Sequence, residues 1–166
     1  LFQALLSTLL TFLLGLPAAV LLARFEFRGR SLLRMLTAIP FMLPTVVVAS
    51  AFTAWLGPRG WFNLGLQALF QLDAPPVAFS GTLGAILTAH VFYNATIVIR
   101  MVGNSLNRLD PRLAQAAQTL GASPRRLFLL VTLPILRPAL ISALLLVFFF
   151  NFTSFGVILL LGGPQF

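Results

Sequence analysis

Leu1–Ala23 runs for 23 residues without one charged side chain. Three more apolar stretches follow, at about 33–56, 82–102 and 138–161, with basic and polar residues gathered between them. About 20 apolar residues in a row make a helix that crosses the hydrocarbon core of a bilayer. Lipid offers backbone N–H and C=O groups no partner, so such a stretch must satisfy them within itself, as a helix. The pattern predicts an all-α fold, a polytopic transmembrane helix bundle, forming a single domain over residues 1–166 with spans at 1–23, 33–56, 82–102 and 138–161. Charged residues make up 8% of the chain, against about 25% in a soluble domain. A water-facing shell cannot be built from so few charges, and membrane lipid is an expected partner. The chain opens on Leu1 with no basic leader and no small-residue cleavage site, so a signal peptide is not expected. With no initiating methionine, it is expected to be part of a longer protein.

All eleven basic residues are arginines, and their positions give a direction. Arg24, Arg28, Arg30 and Arg34 follow the first stretch. Arg100, Arg108, Arg112, Arg125, Arg126 and Arg137 lie in or beside the loop at about 108–136. Only Arg59 falls in the loop between the second and third stretches. Ten of the eleven therefore lie on one side, which positive-inside bias makes the cytoplasmic side. The first residue and the Gly162–Phe166 end are then expected to face outward. A nucleic-acid partner is not expected despite the net charge of +8, because the arginines cluster at span ends and not along one polar face.

Trp61, Phe62, Leu64, Leu66, Leu69 and Phe70 in the outer loop, about 57–81, predict a short interfacial helix. Ala74-Pro75-Pro76 is expected to end it. This loop is either a connector or part of an outward gate or docking surface. Gly15 and Pro17 in the first span, Pro40 and Pro44 in the second and Gly156 in the fourth predict bends, because proline removes a helix hydrogen bond. Pro40 and Pro44 are either tolerated kinks or the cause of a helix that lines a cavity.

The loop at about 108–136 reads as folded. Asp110-Pro111 is a helix N-cap with proline at the first helical position. Gly121 fits the residue just past a helix end. Ser123-Pro124 repeats the start signal, and a second helix runs towards Val131. Leu133-Pro134 and Pro138 are expected to stop it and turn the chain into the fourth span. Ala116, Ala117 and Leu120, with Leu113 at three- and four-residue spacing, share one side of the first helix. Small side chains there suit either an ordinary structured loop or a helix that enters a groove on a partner.

These residues carry a resemblance. The inner-membrane permease subunits of bacterial binding-protein-dependent ABC importers have a cytoplasmic pattern Glu-Ala-Ala, three residues, Gly, nine residues, Ile, one residue, Leu-Pro. Gln115-Ala116-Ala117, Gly121, Val131 and Leu133-Pro134 fall at that spacing. Gln115 stands where the family has glutamate and Val131 where it has isoleucine; the first change removes a charge that the family places against its ATPase. The resemblance implies that Gln115, Ala116, Ala117, Leu120, Gly121, Leu133 and Pro134 couple the chain to a separate nucleotide-binding ATPase subunit. It also implies an external solute-binding protein and a second permease half or copy as partners, in a bacterial inner membrane. The stretch 21–30 looks like the first cytoplasmic turn of these permeases. Gly60-Trp61, Ala89–Asn94 and Leu160–Pro164 look like the branch serving thiamine and iron(III), whose chains are often double-length, and this segment looks like a first half of one.

Some chemistry is excluded directly. Without lysine no phosphate-binding loop of the Gly-x-x-x-x-Gly-Lys-Ser/Thr type exists in this chain. ATP, if it drives the process, binds another polypeptide. There is no cysteine, one histidine and three carboxylates, Glu26, Asp73 and Asp110, each in an expected loop. No catalytic set, metal cluster or cofactor is expected. His90 lies mid-span with Asn94 one turn on, and Asn151, Thr153 and Ser154 interrupt the fourth apolar stretch. Polar groups at that depth face protein or water. His90, Asn94 and Asn151 either tie helices together or line a translocation path. A non-transporting scaffold or assembly factor and a secondary carrier are the other readings. An ion-coupled carrier keeps ionisable groups in its spans, and only His90 fits that description.

Overall fold

The computed structural model describes residues 1–162. Gly163 and Pro164 of the Leu160–Pro164 stretch, and the expected outward end to Phe166, lie outside those residues. The described chain is helical: α1 Phe2–Arg24, α2 Arg30–Leu36, α3 Ile39–Met42, α4 Thr45–Leu56, α5 Trp61–Phe70, α6 Leu83–Asn107, α7 Pro111–Thr119, α8 Pro124–Leu127, α9 Leu133–Phe152 and α10 Phe155–Leu161. The outer surface is greasy. Leu5, Leu9 and Leu13 of α1 and Ile141, Leu145, Phe149 and Phe152 of α9 are exposed. Exposed apolar area on this scale suits lipid and not water.

α1, α6 and α9 form the main core. α1 turns a narrow stripe inward: Ala4, Ser7, Thr11, Gly15 and Ala19, all buried. Their spacing of three or four residues puts them on one helix face. Small side chains let two backbones approach, which drives helix packing where the hydrophobic effect is absent. The approach is closest at Gly15, where an added Cβ would stand 2.9 Å from Cβ of Val98 on α6. Val98 and Val102 of α6 pack there with Ala19 of α1 and with Leu136, Ala143 and Val147 of α9. A second cluster joins Ala49 of α4, Ala85, Ile86 and Ala89 of α6, and Val157 and Leu161 of α10. α6 belongs to both clusters and is the central helix.

Among the described residues three helical stretches are long and apolar enough to cross a membrane: Phe2–Arg24, Leu83–Asn107 and Pro124–Phe152. The first agrees with the expected span 1–23, and Pro17 sits within it without breaking it. The second, which answers to the expected span 82–102, extends to Asn107.

The second and fourth expected spans need correction. Residues 33–56 are not one helix: Arg30–Met42 and Thr45–Phe70 meet at a bend of 108°. Pro44 cannot donate to the carbonyl of Pro40, and a residue before proline is pushed to extended backbone. Leu43 is extended accordingly, with ψ 138°. α6 meets two carbonyls of this irregular stretch: the Thr96 hydroxyl donates to the Thr37 carbonyl, and the Tyr93 hydroxyl lies 3.5 Å from the Leu43 carbonyl.

The fourth expected span, 138–161, is also divided, because α9 ends at Phe152 and α10 starts at Phe155. Nor do Pro134 and Pro138 stop the preceding helix. Pro134 lacks the N–H that would meet the Leu130 carbonyl, and the turn before it widens to a π-helical one over Phe128–Thr132, with the Leu133 amide bonding the Phe128 carbonyl. Pro124–Phe152 thus runs on as one 29-residue rod, roughly 43 Å at 1.5 Å per residue. The short helix expected in the outer loop forms as α5 but ends at Phe70, before the Ala74-Pro75-Pro76 expected to stop it; Gln71 caps it in the left-handed region at φ 53°.

Gly15→Leu forces α1 and α6 apart and should lower stability by about 1–3 kcal/mol, read as a drop in detergent-solubilised melting temperature. Gly65→Ala on α5, where an added Cβ meets nothing within 4 Å, should leave the melting temperature unchanged or slightly raised.

Candidate functional site

Both arginine-rich segments reach the same end of the bundle. Arg24 lines a small cavity with Asp110 and Leu113. Arg34 lines another with Arg100 and Asn107. Arg59 lies in a cavity with Ala49 and Leu160, away from the others. The turn after α1 uses its arginines as caps as well as charges. The Arg30 Nε and Arg34 Nη2 each donate to the Leu22 carbonyl at 2.9 Å, meeting a group that a helix C-terminus leaves bare. Arg30 also pairs with Glu26.

The loop expected at 108–136 begins as two short helices and an elbow, as its caps predict. The Asp110 carboxylate accepts from the Arg112 amide at 2.8 Å, and the Ser123 hydroxyl accepts from the Arg126 amide at 3.4 Å. Gly121 sits at φ +81°. Its amide donates to the Gln118 carbonyl and the Ala122 amide to the Ala117 carbonyl, both at 2.9 Å. This bond pair is a Schellman motif, which needs a left-handed residue after the helix. Ala117 is half-buried, whereas Gln115, Ala116 and Gly121 are exposed. Leu120 is 89% exposed at the tip. Leu133 is half-buried and Pro134 exposed, one π-helical turn beyond α8. The seven residues thus form no single patch: five lie on the elbow and two at the root of α9.

In the bundle interior, His90, Asn94 and Asn151 come together. The Asn94 Nδ2 donates to the Asn151 Oδ1 at 2.7 Å, and the Asn151 Nδ2 donates to the Thr8 Oγ1 at 3.1 Å. The His90 Nδ1 lies 2.8 Å from the Ser7 Oγ. Thr8 passes its own proton to the Ala4 carbonyl at 2.7 Å, so it is free to accept from Asn151. The network closes a loop through α1, α6 and α9. All five side chains are buried. Sequence reasoning missed Ser7 and Thr8; the signal was their place on the small-residue stripe with Thr11 and Gly15.

His90 and Asn94 also reach a cavity of about 310 Å³. It opens where α3 gives way to α4 and α9 to α10, and Thr45, Tyr93, Thr153 and Ser154 line it with them. Asn151 does not line it. Of the three expected path residues, two face a cavity and the third is an interhelical tie. Among the described residues no group of three His, Cys, Asp or Glu side chains is placed to hold a metal ion.

A greasy-walled helix bundle with a polar interior and an elbow projecting from its arginine-rich end defines a polytopic integral membrane protein. The chain belongs to the binding-protein-dependent transport system inner membrane components, a family that matches residues 12–166, and it is accordingly a multi-pass inner-membrane protein. It is 32% identical over 158 residues to the molybdenum transport system permease protein ModB of Azotobacter vinelandii, covering 95% of this chain and 68% of that protein. It is 36% identical over 149 residues to the sulfate transport system permease protein CysT of Salmonella typhimurium, covering 90% of this chain and 52% of that one. With CysT of Escherichia coli the identity is 31% over 163 residues, covering 98% and 57%. The chain therefore spans between 52% and 68% of the length of these relatives. All three are named as transport permeases and not as enzymes.

Removing Asn151 leaves Asn94 and Thr8 without their shared partner. Asn94→Ala and Asn151→Ala should each destabilise the protein, and the double variant should lose less than the sum. The coupling from the double-mutant cycle should be about 0.5–1.5 kcal/mol. At the elbow, Gly121→Ala places a Cβ in a left-handed residue, costing about 1–2 kcal/mol; proteolysis at the Gln118–Ser123 turn should quicken while the melting temperature of the bundle holds.

Proposed function

We propose that this chain is the membrane-spanning part of a permease subunit in an ATP-driven solute importer, and that its elbow, Gln115–Gly121, docks into a separate ATPase subunit. The observation that carries this reading is the elbow itself. A Schellman motif and two N-caps hold it in shape, yet its most prominent side chain, Leu120, is 89% exposed. A large apolar side chain held in water at the tip of an ordered turn is suited to a pocket on another protein. Family membership and the motif spacing support the same assignment, and Leu133 and Pro134 anchor the elbow to α9. The ATPase is needed because a chain without lysine offers no phosphate-binding loop of its own.

The arginine-rich end is the cytoplasmic one in this reading, and the opposite end, with α5, faces a solute-binding protein. A second permease half or copy completes the path, of which His90 and Asn94 form one wall and Asn151 a support. Alternating access then follows from the ATPase subunits closing and pulling the two elbows.

The substrate class we infer is a tetrahedral oxyanion. Sulfate is a tetrahedral dianion, and molybdenum(VI) in neutral water is one also. The names of the three relatives give molybdenum and sulfate, whereas thiamine and iron(III), suggested by residues 60–61, 89–94 and 160–164, occur in none of the three.

Leu120→Asp should leave the bundle folded, because the side chain is almost free of contacts. Affinity for the ATPase subunit should fall about 30-fold, as for an interface anchor, seen as loss of co-purification in detergent and loss of ATP-dependent uptake. Full retention of the ATPase subunit would remove the docking assignment.

A further inference from the structure

Arg34 of α2 and Arg100 of α6 line one cavity of about 200 Å³ at the arginine-rich end of the bundle. No carboxylate lines it with them. Elsewhere at this end the arginines have acidic company: Arg30 is paired with Glu26, and Arg24 shares its cavity with Asp110. A guanidinium keeps its charge at any pH a cell meets. Two such cations on one small cavity repel each other, and an anion between them reverses the sign of the interaction.

The fold places both side chains. The Arg34 Nη2 donates to the Leu22 carbonyl at 2.9 Å, and Leu22 is itself part of the cavity wall. That bond holds the head of Arg34 at the cavity and uses one of its five N–H donors. Arg100 stands on the α6 face that also brings Gly103, Asn104 and Asn107 to the cavity, at the spacing of successive helical turns. It has no ion-pair partner among the described residues. It also lies well inside α6, which ends at Asn107, roughly 10 Å further along the axis. A charge at that depth of a membrane-crossing helix is costly unless it is paired or reaches the interface. The long arginine stem lets the head rise to the interface, and the cavity leaves room there for a counter-charge.

The surroundings select the source of the anion. α2 has no buried residue, and Leu32, Leu33, Met35 and Leu36, on either side of Arg34, are all exposed. A short helix with an arginine among exposed apolar side chains suits the membrane surface, with the apolar groups in the acyl region and the cation at phosphate level. The cavity floor is apolar too, with Ala19, Leu22 and Ile99. A free phosphate gains nothing from such walls, whereas a phospholipid sets its phosphate against the arginines and its glycerol and chains against the apolar residues. With no carboxylate on the wall, the ammonium of a zwitterionic headgroup finds no partner there. The amides of Asn104 and Asn107 suit the hydroxyls of a glycerol headgroup. Basic pockets between membrane helices on the cytoplasmic side are seats for anionic headgroups.

We propose that this cavity seats the headgroup of one anionic phospholipid, its phosphate between Arg34 and Arg100, and that the lipid ties α2 to α6. The site is separate from the elbow and from the solute path, and it does not depend on which solute is carried.

The test uses the full-length permease with its partner subunits, purified in detergent, with tightly retained lipid counted by native mass spectrometry. The probes are phosphatidylglycerol, phosphatidylethanolamine and inorganic phosphate. The unaltered protein should retain phosphatidylglycerol in preference to phosphatidylethanolamine. Arg100→Gln should weaken that retention about fivefold, the effect of one arginine beside an anionic membrane lipid. Arg28→Gln removes the same charge from the same end without touching the cavity wall, and should leave retention unchanged. Asn104→Glu sets a carboxylate one helical turn from Arg100, where the two pair, and should expel the lipid; it decides the matter should Arg100→Gln fail to purify. Unchanged retention in Arg100→Gln, or in Asn104→Glu where that variant stands in, overturns the site. Equal loss in Arg28→Gln does so as well, since retention would then follow overall charge. No preference between the two lipids removes the anionic headgroup, and displacement of phosphatidylglycerol by inorganic phosphate at equal concentration makes this a free-anion site and removes the lipid.

Discussion

A carbonyl that loses its amide inside a membrane has to find a side chain, because lipid supplies nothing else. The chain breaks its second apolar stretch at Leu43-Pro44, and α6 answers with Thr96 at the Thr37 carbonyl and Tyr93 at the Leu43 carbonyl. That exchange accompanies a 108° bend between Arg30–Met42 and Thr45–Phe70. Without it the bend would carry bare carbonyls into hydrocarbon, each costing several kcal/mol. The cavity beside the break is lined from α6 by His90, Tyr93 and Asn94. A straight second helix would fill the space that His90 and Asn94 now face.

α6 can serve both sides because α1 lies so close against it. Ala4, Ser7, Thr11, Gly15 and Ala19 remove bulk along one face of α1. The polar members of that stripe then bond where bulk is absent: Ser7 to His90, and Thr8 beside it to Asn151. Close packing and interhelical hydrogen bonding are the forces left to a bundle in lipid. Here they act at the same residues. The His90 ring is held by Ser7 at one nitrogen, and its other nitrogen is buried without a partner, so its orientation follows from the packing of α1.

The parts of this architecture that were legible in the sequence are those decided locally. Asp110, Ser123 and Gly121 act within four residues of themselves, and each cap formed where expected. The helical class followed from apolar runs that leave the backbone one option. What escaped were features decided by a neighbour in space. Pro44 signals a bend, but the partners that meet the nearby carbonyls, Thr96 and Tyr93, lie about 50 residues on. Pro134 and Pro138 read as stops, yet a π-helical turn absorbed the missing N–H of Pro134 and the rod continued. Ser7 and Thr8 read as minor interruptions of an apolar run until α6 and α9 were set against them.

The elbow and the cavity are joined by a single continuous element. Pro124–Phe152 starts one turn past Gly121 and ends where the cavity wall gives way to Thr153 and Ser154. A helix transmits displacement along its axis because its hydrogen bonds all run that way. Its one departure from α-helical bonding among the described residues is the π-helical turn at Phe128–Thr132, next to the elbow. Asn151 sits near the far end, bonded to both α1 and α6. On the proposed reading, a pull on Leu120 loads this rod at one end while the Asn94–Asn151–Thr8 bonds hold it at the other. The neutral character of those bonds matters here. At about 0.6 kcal/mol each in membrane helices, they fix a register yet yield to the energy that ATP hydrolysis delivers, which a buried ion pair at the same depth would resist.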